Sequence, residues 1–168
     1  MITLENNRDV QLRIVFSQDF SSDEAKEITE SFSKILPTIK SRVANASVQP
    51  VEVATAIIIF CILAPIAEGF LKSIGSDIYN KAKEKIITSL TEKKNPTVMF
   101  QFKSVRKNTD IVIKSQTNDK EELNIIFDTI GKARELAMRE LEKEEGYNII
   151  TVNYENGWTL DSEKGGKS

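Results

Sequence analysis

Hydrophobic residues recur at every second position in several short segments of this chain, and the positions between them are mostly polar. Residues 10–16 show this alternation, and a period of two is typical of a strand with one buried face. The segments 98–102 and 111–113 repeat the pattern on either side of the polar stretch 106–109. This arrangement predicts a β-hairpin.

The C-terminal part of the chain predicts a second strand pair. Residues 147–154 alternate in the same way, and Asn156-Gly157 is a strong signal for a tight turn. A short edge strand is therefore expected at 158–160. Tyr154 and Trp158 flank the turn. A lone tryptophan on a terminal strand more often closes the edge of a core than anchors a partner, so we favour the core interpretation.

Three other segments place hydrophobic residues three or four positions apart, which predicts amphipathic helices. The first begins at a capping box, Ser21-Ser-Asp-Glu24, and ends near Pro37. The second begins near Pro50 and continues to about residue 90, with a kink or break at Pro65. The third is expected over 119–145, behind a second capping signal at its start.

The second helix contains the most unusual stretch of the chain, the uncharged segment 53–67. A helix of this length reaches only ~22 Å, which is short of the ~30 Å hydrocarbon core of a bilayer. Its β-branched residues also fit a buried strand. We favour a helix because the spacing downstream repeats every four residues. It is then a core helix, a partner-binding helix over about 51–74, or a shallow membrane element, and its candidate interaction residues are Ile57, Ile58, Phe60, Ile62, Leu63, Ile66, Phe70 and Ile74.

These elements predict an α+β fold with the order β-α-α-β-β-α-β-β. We expect a two-layer sandwich in which three helices, one of them long and strongly apolar, cover a mostly antiparallel sheet of four to five strands. Residues 1–160 are expected to form a single domain, and residues 161–168 a disordered tail.

Composition argues against most kinds of enzyme. The 168 residues include no histidine and one cysteine, Cys61, and the net charge is −2. The commonest general base and metal ligand is therefore missing, and Cys61 lies in an apolar setting that disfavours a reactive thiolate. No phosphate-binding glycine loop or nucleophile elbow is present. We therefore expect no catalytic site, no metal and no cofactor.

Basic residues are concentrated between positions 81 and 107. This basic belt holds eight lysines and arginines and only two glutamates. It fits contact with phosphate, either in nucleic acid or at an anionic membrane surface, although a solvated helix face with an ordinary turn is the simpler explanation. Its candidate contact residues are Lys93, Lys94, Lys103, Arg106 and Lys107.

The leading hypothesis is a non-enzymatic interaction or assembly module that acts through the apolar helix and the basic belt. Its expected partner is another protein or a second copy of the chain. The first alternative is a membrane-associated effector whose apolar helix inserts after a trigger, and the second is a small nucleic-acid-binding module. The N-terminus lacks the basic and apolar regions of a secretory signal, so a cytoplasmic location is expected, with the inner face of a membrane as the alternative.

Overall fold

A computed structural model describes residues 12–34, 42–45, 56–61, 70–103, 109–143 and 147–164. These residues form seven strands and four helices, together with a single helical turn at 70–72. The elements in chain order are β1 (Leu12–Phe16), α1 (Ser22–Ser33), β2 (Arg42–Asn45), β3 (Ala56–Cys61), α2 (Asp77–Thr91), β4 (Thr97–Lys103), β5 (Asp110–Gln116), α3 (Lys120–Asp128), α4 (Ile130–Lys143), β6 (Tyr147–Tyr154) and β7 (Trp158–Lys164).

All seven strands belong to one mixed sheet with the spatial order β2-β1-β3-β4-β5-β6-β7. The pairs β1–β2, β3–β4 and β5–β6 are parallel, and each is connected through one or two helices. The other three contacts, β1–β3, β4–β5 and β6–β7, are antiparallel. Among the described strands, β2 and β7 are the two edges.

In the described part of the chain the helices pack on one face of the sheet, which we call the inner face. Residues from all four helices join the inward-pointing strand residues in one buried cluster. The strand register places one hydrophobic side chain per strand in a continuous row across this face: Ile14, Ile59, Phe100, Ile113, Val152 and Leu160. The first five are at most 1% exposed, whereas Leu160 on the edge strand is 37% exposed.

This one-sided arrangement constrains the handedness of the crossovers. We view each parallel pair from the inner face with its first strand pointing up. In this view β2 lies on the same side of β1 as β4 does of β3, whereas β6 lies on the other side of β5. Because all the helices lie on the same side, the three crossovers cannot share one hand. At least one of them is therefore left-handed, the uncommon form.

Phe70 lies at the centre of the packed layer and is fully buried. Its ring contacts Phe32 of α1, Tyr79 of α2 and Phe100 of β4, with centroid distances of 6.1, 5.8 and 6.1 Å. Phe100 in turn meets Phe127 of α3 edge to face at 5.4 Å. This chain of aromatic contacts joins three helices to the middle of the sheet.

The α+β class and the capping box at Ser21 are confirmed, as are the strands predicted on both sides of the 104–108 region. The sheet is larger and less antiparallel than predicted. The third helix is divided at Thr129 into α3 and α4. β7 continues to Lys164, past the point where a disordered tail was expected to begin, and residues 165–168 lie outside the described residues.

The prediction of an apolar helix is wrong for residues 56–61, which form strand β3. Ile57 and Ile59 are fully buried on the inner face, and Ile58 points to the opposite face. The β-branched residues 57–59 suit a strand that has neighbours on both sides, and β1 and β4 supply them. A short apolar run is ambiguous from periodicity alone.

Tyr79 provides a test of how the helices are held together. Its hydroxyl donates a hydrogen bond of 2.5 Å to the carbonyl oxygen of Phe127, and burial, followed by the charge of Asp128, raises the pKa of that hydroxyl. Tyr79→Phe leaves the buried carbonyl without this donor, so we expect urea denaturation to show a loss of about 1–2 kcal/mol in unfolding free energy. Tyr154→Phe, at a partly exposed tyrosine with no hydroxyl hydrogen bond to another described residue, is the control. Equal losses for the two variants would contradict this role for Tyr79.

Candidate interaction surface

The hairpin between β6 and β7 places two aromatic residues opposite each other. Tyr154 pairs with Trp158 across the strands, and their rings meet edge to face at 5.1 Å. Asn156 and Gly157 between them have positive φ angles of 56° and 139°. Asparagine and glycine tolerate this left-handed backbone, which explains why the chain turns where the sequence predicted.

Trp158 reaches from the hairpin to the junction of α3 and α4. Its indole Nε1–H donates to the Thr129 hydroxyl oxygen at 2.9 Å, and that hydroxyl donates to the carbonyl oxygen of Ile125 at 2.6 Å. Thr129 is the C-cap of α3, with φ of −117°, so the helix is interrupted at the residue that receives the tryptophan. One threonine thus ends α3 and fixes the position of the indole.

Large hydrophobic side chains are exposed beside this contact. Ile125 lies one turn before Thr129 on the same side of α3 and is 48% exposed, and Leu160 lies two residues after Trp158 on the inner face and is 37% exposed. They are two of the four large hydrophobic residues that are exposed in the described part of the chain. We call the five residues Ile125, Thr129, Tyr154, Trp158 and Leu160 the β7 corner.

The β7 corner is located at a free edge of the sheet. Within the described residues β7 pairs only with β6, so the other side of its seven-residue backbone has no strand neighbour. The opposite edge, β2, has only four residues. An exposed edge strand offers N–H and C=O groups for pairing with another chain. The corner therefore combines apolar anchors with an available backbone.

The predicted apolar helix does not form a surface in the described residues. Ile57 and Phe70 are fully buried, Ile74 is partly buried against the core, and Ile58 is partly exposed on the other face of the sheet. Phe60 lies in β3, where it pairs with Gln101 and Arg13. Three further predicted residues lie outside the described residues: Ile62, Leu63 and Ile66.

The basic belt is not a single surface either. Lys93 is turned inward: its Nζ lies 2.9 Å from the Glu24 carboxylate and 4.8 Å from the centre of the Phe20 ring. Lys94 is exposed, and Lys103 is the last residue of β4. Two predicted members, Arg106 and Lys107, lie outside the described residues.

Glu24 is held by several donors at the start of α1. It accepts from the Ser21 backbone N–H at 2.8 Å, from Ser89 at 2.9 Å and from Lys93 at 2.9 Å. Burial raises the pKa of the Glu24 carboxyl, but the hydrogen bonds from Lys93, Ser21 and Ser89 and the charge of Lys93 outweigh it and lower the pKa to about 2. The network joins α1 to the end of α2.

A groove of about 430 Å³ separates α1 from α2. Ile28 lines it together with acidic and basic side chains, among them Glu27, Glu84, Lys81 and Lys85. Because both signs of charge surround it, the groove has no clear preference for one kind of ion. A second groove of about 460 Å³ lies between α2 and α3.

The described residues contain no group of three or more acidic, cysteine or histidine side chains that could hold a metal ion. No helix in that part of the chain is long and apolar enough to cross a bilayer. All buried side-chain nitrogen and oxygen atoms described there have a hydrogen-bond partner.

Sequence reasoning found Trp158, Tyr154 and the turn between them, but it missed the other three members of the β7 corner. Thr129 and Gly131, which interrupt a helical pattern with a β-branched residue and a glycine, were a local signal for the break. Leu160 was placed on the short edge strand predicted at 158–160, but the pattern gave no sign that its side chain would be exposed.

Comparison with protein-family models, with curated proteins and with solved structures found no match to this chain.

The Glu24 network predicts acid sensitivity. Because the folded pKa of about 2 lies below the ordinary value of 4.5, this contribution is complete above pH 5 and is lost as the pH falls towards 2. For Glu24→Gln we expect a loss of about 2 kcal/mol at pH 7, allowing for partial solvent screening, and almost none near pH 2. Urea denaturation over this pH range tests it, with the exposed Glu27→Gln as control. A pH profile unchanged by Glu24→Gln would disprove the assignment.

The bond between Trp158 and Thr129 can be tested by a double-mutant cycle. Thr129→Val removes the acceptor of the indole N–H, and Trp158→Phe removes the donor. We expect each to lower unfolding stability by about 1 kcal/mol or more, with a coupling energy of roughly 0.5–1 kcal/mol. Thr88→Val, at an exposed position of α2, controls for the general effect of the substitution. Strictly additive losses would show that the two side chains do not act together.

Proposed function

We propose that this chain is a non-enzymatic assembly module that associates with a second copy of itself through the β7 corner. The observation that carries this proposal is the position of Leu160. It is the last member of a row whose other members, from β1 to β6, are buried, and among the described strands β7 has no neighbour beyond β6. A second copy would supply that neighbour.

The composition of the corner supports this role. Tryptophan and tyrosine are enriched among the residues that dominate binding energy at protein interfaces, because each buries a large area with few rotatable bonds. Trp158 is fixed by Thr129 and Tyr154 is packed against it, so little side-chain freedom would be lost on association. Ile125 adds exposed apolar surface one helical turn before Thr129, which binds the indole.

Contact with phosphate is less well supported than it was from the sequence. The inward position of Lys93, paired with Glu24, removes one of the cations that a phosphate-binding surface would need. The acidic residues Glu84 and Glu92 line the same side of α2 as Lys81 and Lys85. Mixed charge of this kind favours a solvated helix face.

Solution mass tests the proposal. We expect light scattering without detergent to give a mass that rises with protein concentration from the 18.9 kDa of one chain towards twice that value. Leu160→Glu places a charge at the apolar contact, so it should shift the protein to the monomer. Ile149→Glu is the matched control, since Ile149 is 46% exposed on the opposite face of the neighbouring strand. A concentration-independent monomer would disprove self-association.

A further inference from the structure

We propose that two copies of this chain pair through β7 in antiparallel orientation, with Leu160 on the two-fold axis. This inference rests on the proposed function and adds the geometry of the contact. Pairing of this kind would join two seven-stranded sheets into one continuous sheet, with the helices of both copies on the same face.

Symmetry limits the possible registers. A two-fold axis perpendicular to the sheet keeps every side chain on its own face of the sheet. Residues directly opposite each other in an antiparallel pair point to the same face, so their positions differ by an even number. One residue of β7 must therefore lie on the axis, opposite its own copy. The positions within two residues of the middle of the strand are Thr159, Leu160, Asp161, Ser162 and Glu163. Each choice determines every other pair in the contact.

Charge and length decide between these five registers. With Asp161 or Glu163 on the axis, two acidic residues of the same kind lie opposite each other, and with Ser162 on the axis Asp161 lies opposite the partner's Glu163. Like charges directly opposite are destabilising. With Thr159 on the axis only residues 158–160 can pair, because Gly157 belongs to the turn. With Leu160 on the axis five residues pair, 158–162, without opposing like charges.

The Leu160 register also gives contacts to side chains that are exposed in the monomer. On the inner face Leu160 would meet the partner's Leu160, and Trp158 would lie opposite the partner's Ser162, with the partner's Leu160 as its diagonal neighbour at ~7–8 Å. On the other face Thr159 would lie opposite the partner's Asp161, a pair that places no like charges together. The hydrophobic row from Ile14 to Leu160 would then continue into the second copy.

Cysteine cross-linking distinguishes this register from other contacts. Residues directly opposite in an antiparallel pair have Cα atoms ~4.5–5.5 Å apart, within the range that a disulfide can bridge. The native Cys61 is first replaced by alanine in the full-length chain. Leu160→Cys is then expected to form a covalent dimer on mild oxidation, seen on a non-reducing gel and reversed by reductant.

Ser162→Cys is the matched control. In the proposed register the two copies of residue 162 are four strand positions apart, roughly 13 Å along the strand, which is too far for a disulfide. Ser162→Cys should therefore remain monomeric on the gel. A mixture of Thr159→Cys and Asp161→Cys chains should cross-link to each other. Far-UV circular dichroism verifies that each variant is folded.

The outcomes separate the two proposals. If the unmodified protein dimerises but Leu160→Cys does not cross-link, or Ser162→Cys cross-links equally well, the register is wrong and self-association stands. If the protein is monomeric at every concentration, both the register and the proposed function fail. If Leu160→Cys and the mixture of Thr159→Cys and Asp161→Cys chains cross-link, and Ser162→Cys does not, the result supports both the register and self-association.

Discussion

The packing of this protein depends on the burial of Phe70 against three other aromatic rings. Phe32, Tyr79 and Phe100 come from two helices and the middle of the sheet, and each lies within 6.1 Å of the Phe70 ring, centre to centre. Aromatic pairs in such geometry contribute about 0.5–1.5 kcal/mol each beyond the area they bury. Because Phe70 contacts all three, it fixes the distance of α1 and α2 from the sheet.

The one-sided sheet explains where the exposed apolar surface lies. Four helices cover the inner face from β1 to β6, and the hydrophobic row is buried as far as Val152. At β7 the same row reaches the edge of the sheet that the described strands form, and there Leu160 is exposed. Its exposure follows from its position in the sheet, because its chemistry matches that of the buried members. The edge is also where the hairpin and the α3–α4 junction place Trp158.

The grouping of charged residues along the chain differs from their grouping in the folded protein. In sequence, Lys93 belongs to a run of basic residues and Glu24 to an acidic helix almost seventy positions away. In the structure they form an ion pair of 2.9 Å, with Ser89 and the Ser21 backbone bound to the same carboxylate. A local excess of one sign therefore indicates a binding surface only if tertiary contacts leave those charges free.

The sequence alone determined the elements whose signals are local. The capping box at Ser21, the turn at Asn156-Gly157 and the alternating strands each depend on residues a few positions apart, and they appear as predicted. Tertiary structure decided the rest. Residues 57–59 became a strand because β1 and β4 lie on either side, and the helix over 119–145 was interrupted where Trp158 binds Thr129. Which strands become neighbours in the sheet and which lysine is paired depend on contacts between distant residues, and no local pattern records them.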